Sequence, residues 1–312
     1  MRSYETRTVW SYHQFGAAAV LNLLGNQSAE AASIRLFGLT DSNSIVSFDV
    51  NKPSGLKTLE VTGVNGTLLG IDFRPANGLL YGITDTDEIY TIDIITGAAT
   101  LQSTLSPLSY DGNQQSGFDF NPAADRLRLE GVTDQNFRIN VDTGAIADFD
   151  PIADGVQPDG TLAYVAGDPN FGVDPNITAV AYTNSFPGAP AGRATQLYAI
   201  DYVLDTLSLQ NPANAGGLST IGSLGFDFDA LGGFDIFSPA AGNNTAYAAS
   251  GSTLYSINLT TAEATSLGAI GAGNTTLVGL AAASVPEPGM VGSLAGLGLL
   301  ALFGLRQRSQ SL

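Results

Sequence analysis

The sequence predicts an all-β propeller of five four-stranded blades, the last blade closed by segments from both ends of the domain. Three observations lead there. A strand-and-turn motif recurs along the chain. Short runs rich in β-branched and aromatic residues are separated by Gly, Pro, Asn and Asp. The first and last of these runs are incomplete in complementary ways. A four-strand unit recurring about every 40–50 residues is the mark of a propeller blade. No helical period sustained beyond two turns occurs outside the termini.

The repeat is explicit. Gly70–Gly78 (GIDFRPANG) is answered 47 residues on by Gly117–Asp125 (GFDFNPAAD), and Gly233–Pro239 (GFDIFSP) is a looser third copy. A second motif trails each one: Tyr90–Gly97 (YTIDIITG), Phe137–Gly144 (FRINVDTG) and Tyr255–Thr261 (YSINLTT). The first complete unit reads as strands over Gly70–Phe73, Leu79–Thr84, Glu88–Ile95 and Ala98–Thr104. Pro75–Gly78 and Thr96-Gly97 supply its turns. The second unit runs from Gly117 to about Phe149. The third has Ile177–Thr183, Thr195–Asp201, Thr206–Gln210 and Leu218–Leu224. The fourth has Phe234–Phe237, Thr245–Ser250, Thr253–Leu259 and Ala264–Ile270.

The fifth unit is shared. Thr275–Ala283 reads as an innermost strand with nothing after it, and Arg35–Thr40, Ile45–Val50 and Leu56–Val61 as three outer strands with nothing before them. Pairing the two closes the ring and removes sheet edges that would template aggregation. A sixth blade requires strands hidden in residues 146–176. A β-sandwich is the competing architecture, but it leaves the repeat unexplained.

Both ends read as addresses. Residues 1–32 have the order of a secretory signal peptide: Arg2 and Arg7, an apolar stretch Phe15–Gly25, then Ala29-Glu30-Ala31 as a small-x-small cleavage pattern. At the other end Val285-Pro286-Glu287-Pro288 precedes an uncharged apolar span, 289–305, with Arg306 and Arg308 behind it. The span is at the short limit for a membrane helix, and its basic flank is the side that stays cytoplasmic. This three-part order over residues 285–312 resembles the PEP-CTERM sorting signal of Gram-negative bacteria. The resemblance implies a sorting protease of the exosortase type as partner and transient inner-membrane anchoring. The propeller domain then spans residues 33–284.

Composition narrows the chemistry. Acidic residues number 29 against 12 basic, the net charge is −17, there is no Cys, and the single His is His13. The charge argues against a basic nucleic-acid-binding face, and the lack of Cys excludes disulfides and thiolate catalysis. Cleavage of the leader would remove His13, and with it Ser-His-Asp catalysis and His-ligated metals. Paired carboxylates and oxygen-ligated calcium remain. Glu60, Glu88, Glu130 and Glu263 sit in no repeated context, so a glycosidase pair is not evident among them.

One aspartate position does repeat. Asp72, Asp119 and Asp235 hold the same place in three innermost strands, where the other two have Ala181 and Ala281. Innermost strands line a propeller's channel, so these three are the candidate metal ligands, and calcium is the hard cation such a site would take. The competing reading gives each Asp a structural role as acceptor for backbone N–H groups. A second candidate is the loop carrying Asp148, Asp150, Asp154, Asp159, Asp168 and Asp174, which lacks the EF-hand order. Asn-x-Thr triplets at Asn65, Asn176, Asn243, Asn258 and Asn274 read as turn chemistry.

Residues 36–283 resemble an uncharacterised bacterial family, domain of unknown function 4394. The match is carried by Gly70–Leu80, Tyr90–Thr100, Gly117–Arg128, Leu162–Asn170 (LAYVAGDPN) and Ala179–Asn184 (AVAYTN). The resemblance implies a propeller-like fold and export, and it carries over no catalytic residues. The expected role is a non-enzymatic cell-surface or matrix component that binds exopolysaccharide or an envelope protein. A carboxylate- or calcium-dependent enzyme acting on extracellular polysaccharide is the alternative.

Overall fold

Burial sorts the strands by distance from an axis. All six residues of the innermost strand Ile177–Tyr182 are buried, whereas the outermost strand Ala99–Thr104 is largely exposed. An element covered on both faces reads as a continuous apolar run, and an edge strand reads as polar. A computed structural model of the chain describes residues 33–190 and 192–285. The predicted leader, 1–32, and the tail from residue 286 onward, with its apolar span, lie outside the described residues.

The described residues form a five-bladed β-propeller. The described residues start with β1 (Ser33–Thr40), β2 (Ser44–Asp49) and β3 (Lys52–Glu60), the outer three strands of blade I. Blade II is β4 (Leu68–Phe73), β5 (Leu80–Thr84), β6 (Glu88–Ile92) and β7 (Ala99–Thr104). Blade III is β8 (Ser116–Asn121), β9 (Arg126–Gly131), β10 (Asn136–Asn140) and β11 (Ala145–Ile146). A two-residue strand, β12 (Ala163–Tyr164), precedes blade IV: β13 (Ile177–Tyr182), β14 (Leu197–Asp201), β15 (Thr206–Gln210) and β16 (Gly217–Ser223). Blade V is β17 (Gly232–Ala240), β18 (Asn243–Ser250), β19 (Thr253–Ile257) and β20 (Ala264–Ala269). Finally β21 (Leu277–Val285) pairs antiparallel with β1, Phe37 opposite Ala281, and completes blade I as expected.

The inner strands β4, β8, β13, β17 and β21 touch in that order and close the ring. Aromatic edges join the blades: Phe37 of blade I meets Phe73 of blade II at 5.1 Å, and Tyr81 of blade II meets Phe120 of blade III at 5.3 Å. The repeated aromatics are therefore core between blades, with Tyr81, Phe120 and Phe137 buried and Phe73 partly so.

The structure departs from the sequence reading in three places. Residues 146–176 hold no sixth blade; they contribute β12, which adds to blade IV in parallel beside β16. The second unit, expected to run to about Phe149, ends its last strand at Ile146. There the Asp148 carboxylate accepts the N–H groups of Asp150 and Gln157, which competes with the ladder. The strand expected over Leu56–Val61 begins at Lys52 and passes through Pro53, which an outermost strand tolerates because one of its edges is unpaired.

Candidate functional site at the propeller axis

Inner strands can meet at an axis only where their side chains leave room. Two residues before each repeated aspartate position stand Gly70, Gly117, Gly233 and Gly279, with Ala179 in blade IV. A Cβ on Gly70 would lie 2.5 Å from Phe118 Cβ, and one on Gly233 would lie 2.5 Å from the Leu280 backbone nitrogen. Such approaches are forbidden, so glycine is what lets adjacent blades touch here. The cavity left between these strands is about 10 Å³, room for roughly one water.

Immediately below this neck the predicted aspartates converge. Asp72, Asp119 and Asp235 are buried, and each offers an oxygen within 4.8 Å of the others. Among the described residues this is the one group of three acidic side chains so arranged.

The pattern of their hydrogen bonds follows the five-fold repeat. Each aspartate reaches one blade forward to the N–H that follows the equivalent position there. Asp72 Oδ2 accepts from Phe120 at 2.8 Å, Asp119 Oδ1 from Tyr182 at 3.1 Å, and Asp235 Oδ2 from Ala282. Blades IV and I carry Ala181 and Ala281 and send no carboxylate forward. The N–H groups they would have bound are Ile236 and Phe73. These are taken by the spare oxygens within the same blade: Asp235 Oδ1 accepts from Ile236 at 2.5 Å and Asp72 Oδ1 from Phe73 at 2.6 Å. Three carboxylates thus satisfy all five axial N–H groups. One oxygen is left over, on Asp119, whose carboxyl brings an oxygen within 4.8 Å of one on Asp235.

Three carboxylates buried this close together disfavour one another's ionisation. Burial, then the charge of Asp235, raises the pKa of Asp72 well above the usual carboxylate range. Burial, then Asp72 and Asp235, does the same for Asp119. Burial also lifts Asp235, to about 7, against the pull of the Ala282 and Ile236 N–H groups. The raised pKa of Asp119, with its carboxyl beside Asp235, favours a proton shared between these two carboxyls, and the three aspartates form a carboxylate bracket across the axis. Chemically, groups so placed can hold a proton.

The second predicted candidate does not gather into one cluster. Asp159 is buried and bonds Arg128 and Arg138, both at 2.6 Å. Asp168 accepts the Thr220 N–H at 2.6 Å and its hydroxyl at 2.9 Å. Asp148 closes its own turn.

Sequence reasoning missed two features. Arg74 leaves the end of β4 and clamps Asp125 (2.7 Å) and Asp142 (2.6 Å) of blade III. Its signal was the Arg at the same motif position where the second copy has Asn121-Pro122. The other is a ring of turn residues with positive φ, Asn43, Asp87, Asp134 and Asp205, between the second and third strands of four blades. Three of them accept an N–H from the entry to the next blade: Leu68, the first residue of β4, for Asn43, and Tyr110 and Phe228, from the loops before β8 and β17, for Asp87 and Asp205. The long segment after β11 takes that partner away from Asp134. Its carboxyl is raised to about 6 by burial and by Asp174, at the edge of a cavity of about 360 Å³.

Fold and axis together define a five-bladed β-propeller pinned at its centre by carboxylates. The chain belongs to the family described as Domain of unknown function (DUF4394), whose model matches residues 44–281, most of its length. A PEP-CTERM protein-sorting motif matches residues 284–309 and marks an exported protein that is sorted by exosortase. No curated protein matches the chain.

Proposed function

We propose that this protein is a surface-displayed binding module whose ligand face is the acidic loop end of the propeller. The observation that carries the reading is a division of labour. The axial carboxylates are spent on backbone N–H groups beside a cavity of about 10 Å³, too small for a substrate. Larger cavities, of about 480 and 360 Å³, lie among the loops that enter the inner strands. Rigid scaffolds that present loops suit recognition.

That loop end has one sign of charge. It comprises the segments leading into each inner strand and the turns between second and third strands. It carries Asp41, Asp85, Asp111, Asp150, Asp174 and Asp227 among others, and none of these segments contains Lys or Arg. The described basic residues sit at the opposite end, on strands, or buried. A neutral or cationic polymer, or a basic envelope protein, is therefore the favoured partner, and an anionic exopolysaccharide binds only through bridging calcium.

The test mixes the exported protein with the producing cell's own extracellular polysaccharide, with and without calcium. Bound fraction and polymer length are read in the same sample. Retention with unchanged length supports the proposal. Shortened polymer would instead make the protein an enzyme.

A second reading keeps the axis functional. The mutual approach of three oxygens within 4.8 Å supports a calcium ion that displaces the shared proton. A rise in melting temperature with millimolar calcium, lost in Asp119→Ala, supports it, and no shift across that range argues against it.

A further inference from the structure

Blade III and blade IV meet through a buried polar pair that the axial bracket does not involve. Glu130, on β9, is 0% exposed, and Gln210, on β15, is 2% exposed. Gln210 Nε2 donates to Glu130 Oε2 at 3.0 Å and to the Ala213 carbonyl at 3.0 Å. The Ala213 carbonyl fixes the amide orientation, because a flipped amide would set oxygen against oxygen. Two atoms are then left without a partner: Glu130 Oε1 and Gln210 Oε1. Both are acceptors, both are buried, and they belong to groups already in contact. Bare buried acceptors are costly, so two on one contact require an explanation.

We propose that Glu130 is held as the neutral acid and donates its Oε1 proton to Gln210 Oε1, closing a two-bond acid–amide pair that clips blade III to blade IV. One proton satisfies both orphaned oxygens at once. The surroundings favour the neutral form. Burial raises the Glu130 pKa to about 7, even with Arg128 nearby to lower it. Arg128 lies two residues away on β9, but its guanidinium is spent elsewhere. It donates to the Tyr182 hydroxyl at 3.2 Å, to Asn136, to Asp159 at 2.6 Å and to Asn214 at 2.8 Å. The remaining titratable groups that face Glu130 are Asp159 from the long loop, Tyr110 from the segment before β8 and Tyr182 from β13. None of these supplies a free positive charge. A metal ion at the same oxygens would add charge beside Arg128, whereas a proton leaves the pair neutral.

The pair makes the junction pH-sensitive. A folded-state pKa above the unfolded value means that the folded state holds the extra proton. The clip's contribution is therefore greatest at low pH and is lost as pH rises through about 7.

Two measurements test this. In the exported protein labelled with ¹³C at Glu carboxyls, one resonance should stay in the protonated range up to about pH 7, and it should vanish in Glu130→Gln. Glu60 and Glu263 are exposed, so they do not compete for that assignment. Glu130→Gln also replaces the acid–amide pair with an amide–amide pair that needs no proton. Its folding equilibrium should match the wild type at pH 5 and exceed it by roughly a hundredfold at pH 9. If every Glu carboxyl titrates near its ordinary value, the proposal is overturned, whether or not the variant folds. It is equally overturned if Glu130→Gln is destabilised by the same factor at both pH values.

Discussion

Asp235 in blade V accepts the backbone N–H of Ala282 in β21, so one carboxylate of the penultimate inner strand holds the strand that closes the ring. Its other oxygen holds Ile236, the N–H that blade IV leaves unserved because it has Ala181. Asp235→Asn keeps one acceptor and sets an amide N–H against one of these donors. The expected loss is about 1–3 kcal/mol, the cost of a buried donor without an acceptor. Asp72→Asn should behave alike, because both Asp72 oxygens are also engaged. Urea unfolding of each variant reads the loss.

The glycine neck gives a steric counterpart. Gly233→Ala would bring a methyl to 2.5 Å from the Leu280 backbone nitrogen, which cannot move aside as a flexible side chain could. Overpacking of this kind costs about 1–3 kcal/mol. Gly78→Ala is an instructive contrast. Its Cβ meets nothing within 4 Å, so any loss there comes from its φ of +71° alone. Thermal unfolding of both variants separates crowding from backbone strain.

Asp159 makes a third prediction. Arg128 and Arg138 stand directly opposite each other on β9 and β10, and the one carboxylate of Asp159 bonds both. Asp159→Asn leaves two facing guanidinium groups in a buried site. A broken buried pair costs about 3–5 kcal/mol. Because the group is buried, added salt should recover little of that loss, which a denaturation series in sodium chloride checks.

Much of this fold is legible in the sequence. The glycine-x-aspartate spacing in β4, β8 and β17 marked the inner strands, because only the inner strand of a blade must combine a close approach with a buried acceptor. The shared blade was readable because β21 and β1 each lacked partners in sequence. The bracket itself was not. That Phe73 and Ile236 take their acceptors from within their own blades follows from Ala181 and Ala281, and only the ring order of the blades exposes it. Asp159 was also illegible. It lies in a Pro- and Gly-rich loop among five other aspartates, and its burial depends on Arg128 and Arg138 arriving from earlier strands. Local composition cannot distinguish an aspartate that caps a turn from one that neutralises two arginines.

The axial aspartates also set a pH dependence. Their folded-state pKa values lie above the unfolded value of 3.8, and Asp235 reaches about 7. The folded state therefore binds more protons than the unfolded chain across that interval. Stability should fall as pH rises from about 4 to beyond 7, and should recover on acidification within that window. Melting temperatures at half-unit steps between pH 4 and 9, roughly the span set by those values, follow the decline.

The most direct test of the bracket is Asp119→Asn, unfolded in urea at pH 5 and pH 9. Asp119 accepts one N–H, from Tyr182, and its carboxyl has an oxygen within 4.8 Å of Asp235. Asparagine reproduces that arrangement permanently, its oxygen accepting from Tyr182 and its amide donating to Asp235 without a titrating proton. The account predicts stability close to wild type at pH 5, higher than wild type at pH 9, and a flatter profile between, unlike Asp72→Asn and Asp235→Asn. A variant as destabilised as those two, with the wild-type pH profile unchanged, would contradict the shared-proton bracket.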